Sequence, residues 1–218
     1  MVMKEFVTKL RDDHSDFESG KLEDDIKSTD PMLLFHKWYE EAFERNCSEP
    51  HAVTISTVSE DLQPSSRTVY MKELLEEGIV FYTNYESEKG TEIAQNPKVS
   101  ALFYWDCLER QVRLNGLAEK VPAEMSDDYF DSRPRASQIG AWASQQSRSV
   151  ESREALEKAY EEVENKFKGK DVPRPDFWGG FLIRPTYLEF WQGRPSRLHD
   201  RICFVKNGDQ WDVHRKNP

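Results

Sequence analysis

Ala52-Val53-Thr54-Ile55-Ser56-Thr57-Val58 is dominated by β-branched residues, with no glycine or proline to interrupt it. That composition suits an extended, half-buried strand. The pattern repeats at Ser66 to Met71 and at Ile79 to Thr83, around the turn Glu76-Glu77-Gly78, so a β-meander starts here. Lys89 to Gln95 follows as a short helix closed by Asn96-Pro97, and Val99 to Trp105 and Gln111 to Lys120 supply two more strands. Short strands at this spacing predict an antiparallel barrel closed on itself. Farther on, Pro122 to Phe130, Ala136 to Gln146 and Val150 to Phe167 are helical in composition, the last carrying opposite charges three and four apart on a solvated face. Pro173, Pro175 and Gly179-Gly180 mark a loop, after which Phe181 to Arg184, Leu188 to Trp191, Arg197 to Val205 and Gln210 to His214 return to strand pattern. On the N-terminal side, Asp30-Pro31 forms a helix start, with Leu33, Leu34, Trp38, Ala42 and Phe43 at helical spacing up to Cys47. Residues 1–29 are acidic and polar and read as a mobile arm, which leaves one α+β domain over residues 30–218.

Composition narrows the function. The net charge is −10 over 218 residues, which disfavours nucleic acid or an anionic membrane as principal partner. Cys47, Cys107 and Cys203 are odd in number and far apart, so neither a disulfide framework nor a zinc site is expected, and a reducing compartment fits best. No signal-peptide core and no run of eighteen apolar residues is present, which predicts a cytoplasmic chain. Glycine-rich dinucleotide and phosphate loops, His-Glu-x-x-His and Gly-x-Ser-x-Gly are all missing, and the five histidines are scattered, so no metal is expected.

The chemistry lies in polar clusters on strands and turns. Arg67-Thr68-Val69-Tyr70-Met71-Lys72 puts a cation at each end of one strand. Tyr82-Thr83-Asn84 followed by Ser87-Glu88-Lys89-Gly90 is a strand-to-helix junction, whose helix-start N–H groups and Lys89 make a phosphate seat. Tyr129, Arg133 and Ser137 recur every four residues, and two hydroxyls beside a guanidinium form an anion-binding set. Phe190 to Arg201 joins an aromatic pair to Arg197, His199 and Arg201, which on a strand would share one face toward a planar anion. Each cluster also has a plainer reading, as a solvated strand end, a capped helix junction or a charged edge strand.

Several blocks in one order carry a resemblance: Arg67 to Lys72, Phe81 to Asn84, Leu108-Glu109-Arg110-Gln111-Val112, Ser132-Arg133-Pro134-Arg135 with Ser137 to Trp142, Phe177-Trp178-Gly179-Gly180-Phe181, and Phe190 to Gly193 with Arg197 to Arg201. From the Asp30-Pro31 helix to the C-terminus the chain closely resembles the pyridoxamine 5′-phosphate oxidase family. The resemblance implies an FMN-binding split β-barrel acting as a homodimer, with flavin at the subunit interface. It implies oxidation of pyridoxamine or pyridoxine 5′-phosphate to pyridoxal 5′-phosphate, with O2 as acceptor, H2O2 as product and ammonia released from the amine. By the same resemblance, Arg67, Thr68, Val69, Tyr70, Met71, Lys72, Tyr82, Thr83, Glu88, Lys89, Gln111, Gln146, Ser147, Trp191 and Arg201 match cofactor positions. Lys72, Tyr129, Arg133, Ser137, Arg197 and His199 match substrate positions, the last two as the catalytic pair against the pyridine ring.

The sequence also departs from the family pattern. Glu88 stands where arginine is usual beside the flavin phosphate, His14-Ser15-Asp16-Phe17 replaces paired arginines and a tyrosine, and Lys216 replaces a leucine. These departures keep two other readings open: a split-barrel flavin oxidase or reductase for another small molecule, and a non-catalytic binder of FMN or pyridoxal phosphate.

Overall fold

The computed structural model describes residues 16–18 and 20–218; within the expected arm, residues 1–15 and Ser19 lie outside the described residues. The helices in chain order are α1 (Pro31–Glu44), α2 (Glu88–Gln95), α3 (Ala123–Ser132), α4 (Arg135–Ala143) and α5 (Arg153–Lys166). The strands are β1 (Ala52–Val58), β2 (Pro64–Tyr70), β3 (Glu73–Leu75), β4 (Gly78–Asn84), β5 (Lys98–Trp105), β6 (Arg110–Lys120), β7 (Trp178–Gln192), β8 (Asp200–Asn207) and β9 (Gln210–Arg215). Contacts gather into two compact units, one of His51–Phe103 with Arg113–Tyr187 and one of Met1–Pro50 with Tyr104–Val112 and Leu188–Pro218.

The unit of His51–Phe103 with Arg113–Tyr187 (the His51–Tyr187 unit) carries most of the strand path β2-β1-β5-β6-β7-β4-β3. Period-two burial organises it: Val53, Ile55 and Thr57 of β1, Val99, Ala101 and Phe103 of β5, and Leu114 and Ala118 of β6 all face inward. β1 and β2 pair antiparallel with Ile55 opposite Arg67 and Thr57 opposite Ser65, while β4 pairs β7 with Tyr82 opposite Gly180. At Gly180 a Cβ would come within 2.8 Å of the Tyr82 ring and of Val121, so a bare backbone is what lets Tyr82 lie flat there. A second cluster of Phe130, Ile139, Phe167, Val172 and Trp178 packs α3, α4 and the end of α5 together.

In the other unit, Asp30 caps α1 by accepting from the N–H groups of Met32 and Leu33 at 2.8 and 3.2 Å. The buried stripe Met32, Leu34, Phe35, Trp38 and Ala42 then packs inward, with Trp38 edge-on to Phe190 at 5.1 Å. Buried Gln192 accepts from Arg110 Nε at 2.8 Å and donates to the Leu108 carbonyl. Leu22 is buried, its N–H donates to Asp200, and Arg215 ties Asp24 to Asp200. Among the described residues no helix is long and apolar enough to cross a membrane.

Three expectations need correction. β7 is one strand rather than two, because the fixed φ of Pro185 is compatible with an extended chain. The strand expected over Arg197 to Val205 begins only at Asp200: Pro195–Arg197 is a 3-10 turn in which Ser196 and Arg197 hold left-handed φ values of 59° and 62°. Arg197, His199 and Arg201 therefore do not share a strand face. Cys47 and Cys107, expected to be unpaired, form a disulfide with Cα atoms 5.5 Å apart. Their separation of 60 residues along the chain hides this pairing from any local spacing argument; Cys203 is buried and free.

Candidate functional site

The His51–Tyr187 unit holds a cavity of about 540 Å³ lined by Arg67, Thr68, Val69, Tyr70, Lys72, Tyr82, Thr83, Lys89, Tyr129, Arg133, Pro134, Ser137, Gln146 and Trp178. Three local structures deliver these side chains. β2 presents Arg67 to Tyr70 along its length. The β4 to α2 junction presents Tyr82, Thr83 and Lys89; there Ser87 caps the helix by accepting from the Gly90 N–H, and a Cβ on Gly90 would sit 2.2 Å from the Tyr85 carbonyl oxygen. The α3 to α4 break, where Arg133 is extended and Pro134 opens the next helix, presents Tyr129, Arg133 and Ser137.

Lys89 is 7 % exposed. Its ammonium donates to Gln146 Oε1 at 2.8 Å, Thr83 Oγ1 at 3.2 Å and Ser87 Oγ at 3.4 Å, all neutral oxygens. Burial, with the charge of Arg67 adding to it, pulls its pKa down to about 8. A buried cation held only by neutral acceptors is a seat for an anion. Arg67 is differently placed. Its guanidinium donates to Thr57 Oγ1, to Ser65 Oγ at 2.8 Å and to the buried Glu92 carboxylate at 3.3 Å, with Glu88 at 3.7 Å. Burial pushes the Glu92 carboxyl up, but hydrogen bonds from Thr57 and Ser65 and the charge of Arg67 outweigh it and hold the pKa below the ordinary value.

Across the cavity, Tyr82 stacks on Tyr129 with ring centres 4.0 Å apart and lies nearly parallel to Trp178 at 5.6 Å. The Tyr82 hydroxyl donates to Glu73 at 2.5 Å, and burial followed by the Glu73 carboxylate raises its pKa. Burial likewise raises the Tyr129 phenol and lowers Arg133, whose Nη1 is buried without a hydrogen-bond partner among the described residues.

The remaining expected residues lie elsewhere. Met71 is buried at 5 % exposure and does not line this cavity. Glu88 and Ser147 line a neighbouring surface hollow, with Glu86, Glu92 and Arg148, that shares Gln146 with this cavity. Gln111, Trp191, Arg197, His199 and Arg201 belong to the other unit. There Trp191, His199 and Phe17 form one aromatic group, with Trp191 to His199 at 4.7 Å and Phe17 to His199 at 5.3 Å; Arg197 lies over Phe17. His199 Nδ1 accepts from the Arg194 N–H at 3.1 Å, which leaves Nε2 as the protonated nitrogen of the neutral ring, and burial, then Arg197, lowers its pKa. Arg201 makes a two-pronged ion pair with Glu189, at 3.0 and 2.9 Å.

Glu73, Glu92 and Trp178 were not singled out from the sequence as site residues. For Glu92 a signal existed, since it falls three residues after Lys89 on the same face of α2. Glu73 offered none, because its strand is three residues long.

Residues 39–167 match the family model described as pyridoxamine 5′-phosphate oxidase, and residues 178–218 match that of the pyridoxine 5′-phosphate oxidase C-terminal dimerisation region. The pyridoxine/pyridoxamine 5′-phosphate oxidase of Gloeothece citriformis is 50% identical, over 86% of this chain and 88% of its own. That of Cupriavidus necator is 47% identical, over 97% and 100%. Among solved structures, PhzG from Burkholderia lata superimposes with a TM-score of 0.85 at 26% identity, covering 92% of this chain and 100% of its own. A pyridoxamine 5′-phosphate oxidase-related, FMN-binding protein from Nostoc punctiforme gives 0.68 at 17% identity, covering 88% and 100%, which places the α+β fold among FMN-binding split barrels. With both of its segments matched and such relatives along most of its length, the chain belongs to the pyridoxamine 5′-phosphate oxidase family.

Proposed function

We propose that this chain is an FMN-dependent oxidase that converts pyridoxamine and pyridoxine 5′-phosphate to pyridoxal 5′-phosphate, using O2 and releasing H2O2, with ammonia from the amine. One observation carries the reading: a single cavity contains two separate cationic seats, Lys89 among neutral oxygens and Arg133 with an unpartnered buried donor. Two phosphorylated molecules, a cofactor and a substrate, fit two such seats. The donor set suits FMN: Lys89, Thr83, Gln146 and Arg67 would hold its phosphate end, and Thr68, Val69, Tyr70, Lys72 and Tyr82 would line its path. Met71, Gln111, Ser147, Trp191 and Arg201 complete the proposed contacts in a homodimer with flavin at the interface; the C-terminal match is to a dimerisation region.

Bound FMN supplies the two-electron acceptor for the substrate carbon. The chain's own residues do the rest. Tyr129, Arg133, Ser137 and Lys72 anchor the substrate phosphate. Arg197 and His199 orient the pyridine ring, and the neutral imidazole, protonated on Nε2, offers one donor at fixed orientation. The same proposal places the protein in the cytoplasm. Steady-state peroxide production from pyridoxamine 5′-phosphate with added FMN tests the activity; no peroxide with either phosphorylated substrate overturns it.

A further inference from the structure

Arg133 is the cavity residue whose charge is least accounted for. Its Nη1 is buried and has no hydrogen-bond partner among the described residues, and no carboxylate pairs with it among them. What it does have is aromatic: the guanidinium carbon lies 4.6 Å from the centre of the Trp178 ring and 5.5 Å from that of Phe130. Indole is the strongest of the aromatic faces for a cation, and the attraction grows as water is excluded. It also acts through the guanidinium face and so leaves the in-plane N–H groups for an acceptor.

Trp178 is itself held on several sides. It is 6 % exposed and packs edge-on against Phe130 at 5.1 Å. Its rings run nearly parallel to those of Tyr82 and Tyr129. Its backbone N–H donates to the Pro175 carbonyl at 3.0 Å, and its backbone carbonyl accepts from Arg174 Nη1 at 2.7 Å, while Arg174 Nε is paired with Asp127. Immediately after it, Gly179 and Gly180 allow Tyr85 and Tyr82 to approach the strand at distances where a Cβ would clash. The indole is thus a packed plane, whereas Arg133 sits at the extended break between α3 and α4 and its guanidinium Nη1 has no hydrogen-bond partner among the described residues.

We propose that Trp178 is a positioning residue for the substrate phosphate: its indole face holds the Arg133 guanidinium in the cavity wall with its in-plane donors left for the phosphate. This rests on the oxidase reading above. It adds to that reading a residue that acts through Arg133 and makes no contact with the phosphate itself. The consequence is a selective one. Loss of the indole face lets the guanidinium swing, which weakens capture of phosphorylated substrate while the redox step and the flavin seat at Lys89 are left alone.

The test is a double-mutant cycle on the FMN-loaded enzyme with pyridoxamine 5′-phosphate. Trp178→Leu raises KM about tenfold, with kcat and the FMN Kd each moving less than about twofold, and Trp178→Phe, which keeps a smaller π face, recovers most of the loss. In an Arg133→Met background, the same Trp178 substitutions change KM by less than about twofold, because the group they position is gone. An equal effect of Trp178→Leu in both backgrounds, a fall in kcat at constant KM, or a parallel loss of FMN affinity overturns the proposal. If Trp178→Leu does not fold, the cycle is run with Trp178→Phe, whose smaller KM increase must likewise vanish in the Arg133→Met background. If the wild type makes no peroxide, the oxidase reading fails separately, and the cycle is read by equilibrium dialysis of pyridoxal 5′-phosphate. There, coupling between the two sites supports the proposal, and additive effects or no binding overturn it.

Discussion

Lys89 and Arg201 are both cations expected to touch flavin, and their surroundings differ in one respect. Arg201 meets a carboxylate, Glu189, whose side chain is only 1% exposed, and grips it with two parallel hydrogen bonds. Lys89 is more enclosed than Arg201 and hydrogen-bonds only neutral oxygens. A cation already paired with a buried anion serves the fold first, because removing either partner strands the other. A cation that has been desolvated without a counter-ion holds its charge at a cost that an incoming phosphate relieves.

Breaking the paired cation gives the largest effect. Arg201→Leu removes the two-pronged guanidinium partner of the buried Glu189 carboxylate and is expected to destabilise the protein without FMN by about 3–5 kcal/mol, read from urea unfolding. An undiminished midpoint would mean that the pair is dispensable and would erase the contrast. Lys89→Met is expected to leave the midpoint unchanged or slightly raised and to weaken FMN binding about ten- to a hundredfold, read by flavin fluorescence. A large loss of stability in that variant would put Lys89 in the same class as Arg201.

The pH dependence sharpens the same point. FMN binding favours the ammonium form, and the Lys89 pKa of about 8 means that this form is lost as pH rises through that value. The Kd for FMN is therefore expected to be flat below about pH 7 and to rise above pH 8, approaching about tenfold per pH unit. Lys89→Met abolishes that slope. A slope that persists in the variant would assign the titration to another group.

Arg197→Leu is expected to lower turnover of pyridoxamine 5′-phosphate about tenfold, with FMN still bound and the unfolding midpoint unmoved. Arg197 packs on Phe17 and pairs with no carboxylate among the described residues, so stability should not depend on it. The smallest effect belongs to Glu88. It faces Arg67 at 3.7 Å, is 62% exposed and lines a neighbouring hollow, so Glu88→Arg is expected to tighten FMN binding only about threefold at low salt, fading as ionic strength rises. Weaker binding would mean that Glu88 is needed to hold Arg67.

Local pattern was enough to place most elements of this chain. β-Branched runs marked β1, β2 and β4, the Asp30-Pro31 start marked α1, and the Ser87-Glu88-Lys89-Gly90 junction with the closing Asn96-Pro97 marked α2, because each signal lies within a few residues of the geometry it dictates. That Lys89 and the set Tyr129, Arg133 and Ser137 each come together along one cavity was legible for the same reason: their spacing is that of a helix start and of helical turns. Tertiary structure decided the rest. Whether Arg201 meets Glu189, whether Arg67 is claimed by Glu92 twenty-five residues away, and whether Trp178 slides under Arg133 depend on strand register and on which side chains are desolvated together. The turn at Pro195–Arg197 belongs here too, since an alternating Arg-x-His-x-Arg run fits an extended strand locally, and left-handed φ values at Ser196 and Arg197 are compensated only by contacts made elsewhere in the fold. Identity and spacing fix what a residue offers; what it is left to bind is set by the neighbours that folding brings within hydrogen-bonding distance.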